Sequence, residues 1–196
     1  MKIIIPALLC IALLTACSYN NEEAAQACLE EVSYDKTRNV NSDLNGIHSA
    51  IDNSTDLGAC LVDKLNIEIY ESDKLKAQAA LDFVSEIITY KVDRTGTKMP
   101  SKTLREREGD CEDYTALTGS VLHSANIDFY LIERQPYRQG ELGHVFLAIE
   151  TEDYTGMVCD EKNLLIVDGT DTAATVGVDS NNKDYEFTCR LIKGNT

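Results

Sequence analysis

Basic residues are scarce in this chain of 196 residues: 18 Lys and Arg stand against 33 Asp and Glu, a formal net charge of −15. Binding to nucleic-acid phosphates needs a basic surface, so the balance argues against a nucleic-acid partner. It argues equally against docking on anionic lipid by charge alone. There is no internal repeat and no low-complexity tract. No cysteines stand at the close spacing of a zinc site. Histidine is confined to His48, His123 and His144, which restricts imidazole chemistry to those positions. Apolar residues are plentiful at 43 %, enough for a real core and against wholesale disorder. The length allows one compact domain with an extension, or at most two small ones.

The first apolar run is short. Lys2 precedes Ile3 to Leu14, too few residues to span a bilayer as a mature helix but right for a secretory leader. Leu14-Thr15-Ala16-Cys17 follows and resembles the bacterial lipobox, whose cysteine is acylated. The expectation is a signal peptide over residues 1–16 and a lipid on Cys17 that tethers the chain to a membrane of the cell envelope. Ser18 in place of Asp tilts this towards the outer membrane, facing the periplasm. An ordinary secretory signal cut nearby is the alternative.

With Cys10 in the leader and Cys17 lipidated, Cys28, Cys60, Cys111, Cys159 and Cys189 remain. Export permits disulfides, and an odd number leaves a thiol over. The economical pairing joins Cys28 to Cys60 and Cys159 to Cys189, although those four allow other connectivities. Cys111 is then free, and a free thiol exposed to oxidant is a liability unless it has work to do.

Residues 17–71 read as a tether and a helical N-terminal extension. A helix is expected over 22–32, loops around a short helix near Ile47 to Ile51, and a further helix over Gly58 to Leu65. The second unit, 72–196, opens with Ser72 as an N-cap and with Ala77, Leu81, Val84 and Ile88 on one stripe. Asp93 to Glu108, with Gly96 and Pro100, reads as irregular. Asp110 can cap a helix that begins at Cys111, with Asp113 placed for a capping box. Tyr114, Leu117, Val121 and Ala125 share that helix's apolar side with Cys111. Alternation then marks strands at Phe129 to Glu133, His144 to Glu150, Leu164 to Asp168 and Tyr185 to Ile192. Helices followed by strands make an α+β domain with an antiparallel sheet. Neighbouring strands can set His144 beside Asp168, and the helix of Cys111 is expected over the same face.

Gly109-Asp110-Cys111-Glu112-Asp113-Tyr114, Gly143-His144-Val145-Phe146 and Val167-Asp168-Gly169-Thr170 together resemble a transglutaminase-like domain. More closely they resemble the bacterial transglutaminase-like cysteine proteinases, as does Met99-Pro100-Ser101-Lys102-Thr103-Leu104. The resemblance implies a papain-like core with Cys111 as nucleophile, His144 as base and Asp168 as the orienting carboxylate. Asp171 competes for the last role. Tyr90 is a candidate for the family's upstream side-chain oxyanion donor, and His48 and His123 read as structural. Glu112 follows Cys111, where animal-type transglutaminases usually place Trp, which favours hydrolysis over amine transfer.

The acids around Cys111 oppose a thiolate. The resemblance includes calcium-dependent members, and it implies calcium at Asp110 and Glu112, with plain helix capping as the alternative. The expected function is a lipid-anchored thiol hydrolase acting on a protein or peptide amide. A protein-glutamine transglutaminase or deamidase and a non-catalytic binding module are the alternatives.

Overall fold

The structure is a computed structural model, described here over residues 20–32, 39–93, 95–134, 143–153, 155, 157–170, 174–178 and 187–194. The expected leader and Cys17 lie outside the described residues. No helix of the described residues is long and apolar enough to cross a membrane.

Four of the six α-helices among the described residues begin at side-chain caps. Helix α1 (Asn21–Glu31) starts with a capping box between Asn20 and Glu23. Asp43 caps α2 (Leu44–Asp52), and Ser72 caps α4 (Asp73–Ile87). Between them lies α3 (Thr55–Lys64). The stretch expected to be irregular holds α5 (Pro100–Glu106). Pro100 takes the first turn, where its missing N–H costs nothing, and Arg107 closes the helix at φ 57°. Helix α6 (Cys111–Ser124) begins with a second capping box, formed by Asp110 and Asp113.

Short strands brace these helices. Antiparallel β1 (Asn39–Val40) pairs with β3 (Thr97–Lys98), and parallel β2 (Thr89–Tyr90) pairs with β4 (Glu108–Gly109). The main sheet contains β5 (Phe129–Arg134), β6 (His144–Thr151), β7 (Val158–Cys159), β8 (Lys162–Val167) and β9 (Phe187–Ile192). Its spatial order is β7-β8-β6-β5-β9, antiparallel throughout.

The sheet buries both faces. Leu131, Val145, Leu147, Ile149 and Val167 face the helices and share a core with Leu117 and Val121 of α6. Ala25, Ile47, Ile51 and Leu61 of the N-terminal helices belong to that same core. On the opposite face Tyr130, Ile132, Phe146, Ala148, Leu164 and Ile166 form a smaller cluster. Helix α6 lies between these layers, packed on α2, α3, α4, α5 and β6. Gly58 permits its closest approach: a Cβ there would stand 2.1 Å from the Ser120 carbonyl oxygen.

Two disulfides staple the layers. Cys28–Cys60 joins α1 to α3, and Cys159–Cys189 joins β7 to β9 across the sheet. Each closes a loop of about thirty residues, which restricts the unfolded chain by about 3–4 kcal/mol in the chain-entropy account. The double substitution Cys28→Ala/Cys60→Ala should therefore lower the urea-unfolding free energy by about 2–4 kcal/mol. A loss under about 0.5 kcal/mol would show that α1 is held to α3 by packing alone.

Candidate active site

Cys111 is half-buried and is the free cysteine among the described residues. It stands first in α6 because the residues on either side cap the helix. The Asp110 carboxylate accepts from the Glu112 amide at 3.2 Å, and the Asp113 carboxylate accepts from the Asp110 amide at 3.3 Å. One turn further on, the Thr115 hydroxyl donates to the Val145 carbonyl at 3.1 Å. That bond fixes the first turn of α6 against the start of β6, where His144 stands.

His144 Nε2 lies 2.7 Å from Asp168 Oδ2. Both oxygens of Asp168 are engaged, since Oδ1 accepts from the Thr170 amide at 3.0 Å and from its hydroxyl at 2.7 Å. With Nε2 on the carboxylate, Nδ1 is the ring nitrogen not engaged by Asp168, and Cys111 lines the same cavity as the imidazole. Burial by itself would lower the His144 pKa. The bond to Asp168, followed by the influence of the nearby Cys111 and the Asp168 charge, outweighs it and raises the imidazole from 6.5 to about 9. Burial likewise pushes against the Asp168 charge, but the His144 and Thr170 bonds hold that carboxyl below its usual range.

The route by which these groups meet differs from the expected one. Along β6 the residues packed under α6 are Val145, Leu147 and Ile149, whereas Phe146 and Ala148, on the His144 side of the alternation, belong to the opposite cluster. The His144 ring stacks on Phe146 with centroids 5.6 Å apart. Cys111 therefore meets His144 at the end of the strand and not over a shared face. Asp168 also lies just past the end of β8, at Val167. Thr170, which positions Asp168, was passed over as a site residue although it stands in the Asp-Gly-Thr motif. Asp171 lies outside the described residues. His48 pairs with Asp52 on α2 at 3.3 Å, and His123 sits in the last turn of α6.

A cavity of about 220 Å³ opens beside Cys111 and His144. Leu44 and Ile47 of α2 line it, together with Tyr90, Val92, Asp93 and Glu133. The N-terminal extension thus supplies one wall of the cavity, a contribution no local motif announces. Tyr90 sits opposite Gly109 in the β2–β4 pair. Burial, then the charges of Cys111, Asp110 and Asp168, raises its hydroxyl pKa.

The acids that the resemblance marks for calcium have other partners. Asp110 is 8 % exposed, and besides capping Glu112 it accepts from the Asp93 amide at 3.4 Å. Glu112 accepts from the Thr97 hydroxyl at 3.3 Å. Burial raises the pKa of both carboxyls. Calcium takes about six to eight oxygen ligands, and among the described residues no group of His, Cys, Asp and Glu gathers to hold a metal. Both carboxylates are engaged by protein donors.

A family model described as a transglutaminase-like domain matches residues 60–181. The chain belongs to the transglutaminase-like domain family. Membership supports an enzyme with thiol-based activity of the hydrolase or transglutaminase type. Among solved structures, the chain is similar to a candidate cysteine protease from Cytophaga hutchinsonii, with a TM-score of 0.44 and 14 % identity over 79 % of this chain and 58 % of that one. It is also similar to a TGase, with a TM-score of 0.41 and 14 % identity over 83 % of this chain and 40 % of that one. The chain thus spans less than two thirds of either structure. No curated protein matches it.

The raised imidazole gives a pH signature that needs no substrate. His144 binds its proton more tightly folded than unfolded, so its contribution to stability is fully present below about pH 6.5 and is lost as pH rises through about 9. Urea-unfolding free energy should fall across that window in the wild type, and the fall should shrink in His144→Ala. Equal slopes in the two proteins would contradict the ion pair.

Proposed function

We propose that this transglutaminase-like domain is an exported, lipid-anchored thiol hydrolase that cleaves a protein or peptide amide. The reading rests chiefly on the 2.7 Å His144–Asp168 pair, with Cys111 beside the imidazole in one cavity. The two disulfides support an oxidising compartment, as export to the periplasmic face of an outer membrane supplies.

In this reading His144, raised to about 9, already holds at Nδ1 the proton that Cys111 has given up, and the sulfur attacks the amide carbon. Asp168 holds the ring orientation and stabilises the imidazolium. Asp110 and Asp113 already occupy amides of the helix end, which leaves the Cys111 amide to face the developing oxyanion, with the Tyr90 hydroxyl as a second donor. The imidazolium gives its proton to the leaving nitrogen, the C–N bond breaks, and a thioester remains. His144 then takes a proton from water, the hydroxide attacks the thioester, and the sulfur leaves as the acid forms. Glutamine deamidation or amine transfer would share the first half and differ in which amide is opened and what attacks the thioester. No step uses a metal ion.

The product separates these outcomes. Incubation with a mixed protein substrate should generate new N-termini, and Cys111→Ala should lower their rate on the order of a thousandfold or more with the fold intact. Exhaustive chelation should leave that rate unchanged. Ammonia release from glutamine without chain cleavage would favour the deamidase. Turnover by Cys111→Ala would remove the nucleophile assignment, and loss of activity on chelation would restore calcium.

A further inference from the structure

Lys98 of β3 is 5 % exposed, which is unusual for a lysine. Its ammonium lies 3.0 Å from Asp93 Oδ2, 3.2 Å from Asp113 Oδ2 and 3.7 Å from Glu106 Oε2. It also donates to the Glu108 carbonyl at 3.2 Å, and the Lys98 amide donates to Asp113 Oδ1 at 2.7 Å. Asp93 and Asp113, which hold this ammonium, also hold Asp110. The Asp93 amide donates to the Asp110 carboxylate, and the Asp113 carboxylate accepts from the Asp110 amide. Lys98, Asp93, Asp110 and Asp113 therefore form a closed ring around the residue that precedes Cys111.

That ring answers the electrostatic difficulty in the sequence. Asp93, Asp110, Glu112 and Asp113 crowd the nucleophile, and the carboxylates of Asp110 and Glu112 are engaged by protein donors. A side-chain cation instead stands within 3.0–3.2 Å of two of the acids. Half-buried and fully buried carboxylates without a counter-charge would repel one another across the N-cap. Burial alone would lower the Lys98 pKa, but Asp93 and Asp113 outweigh it and raise it, so the ammonium stays charged. Burial pushes Asp113 up to about 6, which leaves it largely ionised at neutral pH.

We infer that Lys98 is the built-in cation of this site, a positioning residue whose ammonium locks Asp93 and Asp113 onto Asp110 and so fixes Cys111 towards His144 in place of a bound metal ion. The inference rests on reading Cys111 as the nucleophile. It assigns Lys98 no contact with substrate and makes the site independent of added calcium.

The test is the rate of Cys111 alkylation by iodoacetamide in the full chain, followed by mass spectrometry. Wild-type alkylation should be unaffected by exhaustive chelation. Lys98→Ala should slow it by about tenfold, the scale expected when a reacting group is misplaced. Added n-propylammonium, which replaces the deleted atoms, should restore much of that loss, whereas sodium at equal concentration should not. A merely structural lysine predicts a lower melting temperature with an unchanged alkylation rate in the folded fraction. Should Lys98→Ala fail to fold, Asp93→Asn opens one side of the ring at a half-buried position and should slow alkylation about threefold. A fast wild type matched by an equally fast Lys98→Ala, or by Asp93→Asn where that variant stands in, overturns the role of Lys98 alone. A wild-type Cys111 that reacts no faster than the urea-denatured thiol overturns the nucleophile reading and this inference together.

Discussion

The capping box of α6 decides where the thiol stands. A helix end leaves its first amides without partners, and Asp110 and Asp113 satisfy them from within four residues of sequence. Cys111 is thereby set at the first position of a helix whose remaining turns are almost wholly buried. Asp113 is itself fully buried and cannot move without breaking its bonds to the Lys98 amide and to the Asp110 amide. Gly109 belongs to the same constraint, because a Cβ there would come 2.6 Å from the Asp113 Cβ. The thiol's position is thus set by packing and hydrogen bonds within the protein.

Burial of α6 carries that position to the rest of the site. The helix is packed on α2 and α3 on one side and on β6 on the other, so its first turn and the first residue of β6 keep a fixed relation. The Thr115–Val145 bond expresses that relation locally. His144 is then turned by Asp168, and Asp168 by Thr170. His144 is oriented from beyond the end of β8, and Asp168 by a residue two further along the same turn. Preorganisation of this kind is what lets electrostatic stabilisation act without reorganisation at the moment of reaction.

The elements of this fold with a strong local period or a side-chain cap could be read from the sequence. Ser72 and Asp110 stood where helices begin, and Phe129 to Glu133 and His144 to Glu150 alternated as strands do. The α+β architecture follows from their order. Between Asp93 and Glu108 the sequence misleads, because Pro100 reads as a breaker but occupies the first turn of α5, where it is compatible with the helix. The expected packing of the Cys111 helix over the His144 face also failed, although His144 does stand beside Asp168. Side-chain alternation describes residues within a strand, but His144 and Asp168 sit at strand ends, where the backbone turns away. The wall contributed by Leu44 and Ile47 and the ring around Lys98 depend on contacts between distant segments. A lysine in a polar stretch carries no local sign that it will be buried.

Selective labelling of the thiol tests most directly whether His144 activates Cys111. One equivalent of a mild electrophile should label Cys111 in the folded protein, located by peptide mapping. His144→Ala should slow that labelling by about tenfold or more while leaving the fold and both disulfides unchanged. Labelling at the same rate in the wild type and in His144→Ala would contradict the account, because the imidazole would then contribute nothing to the reactivity of the thiol.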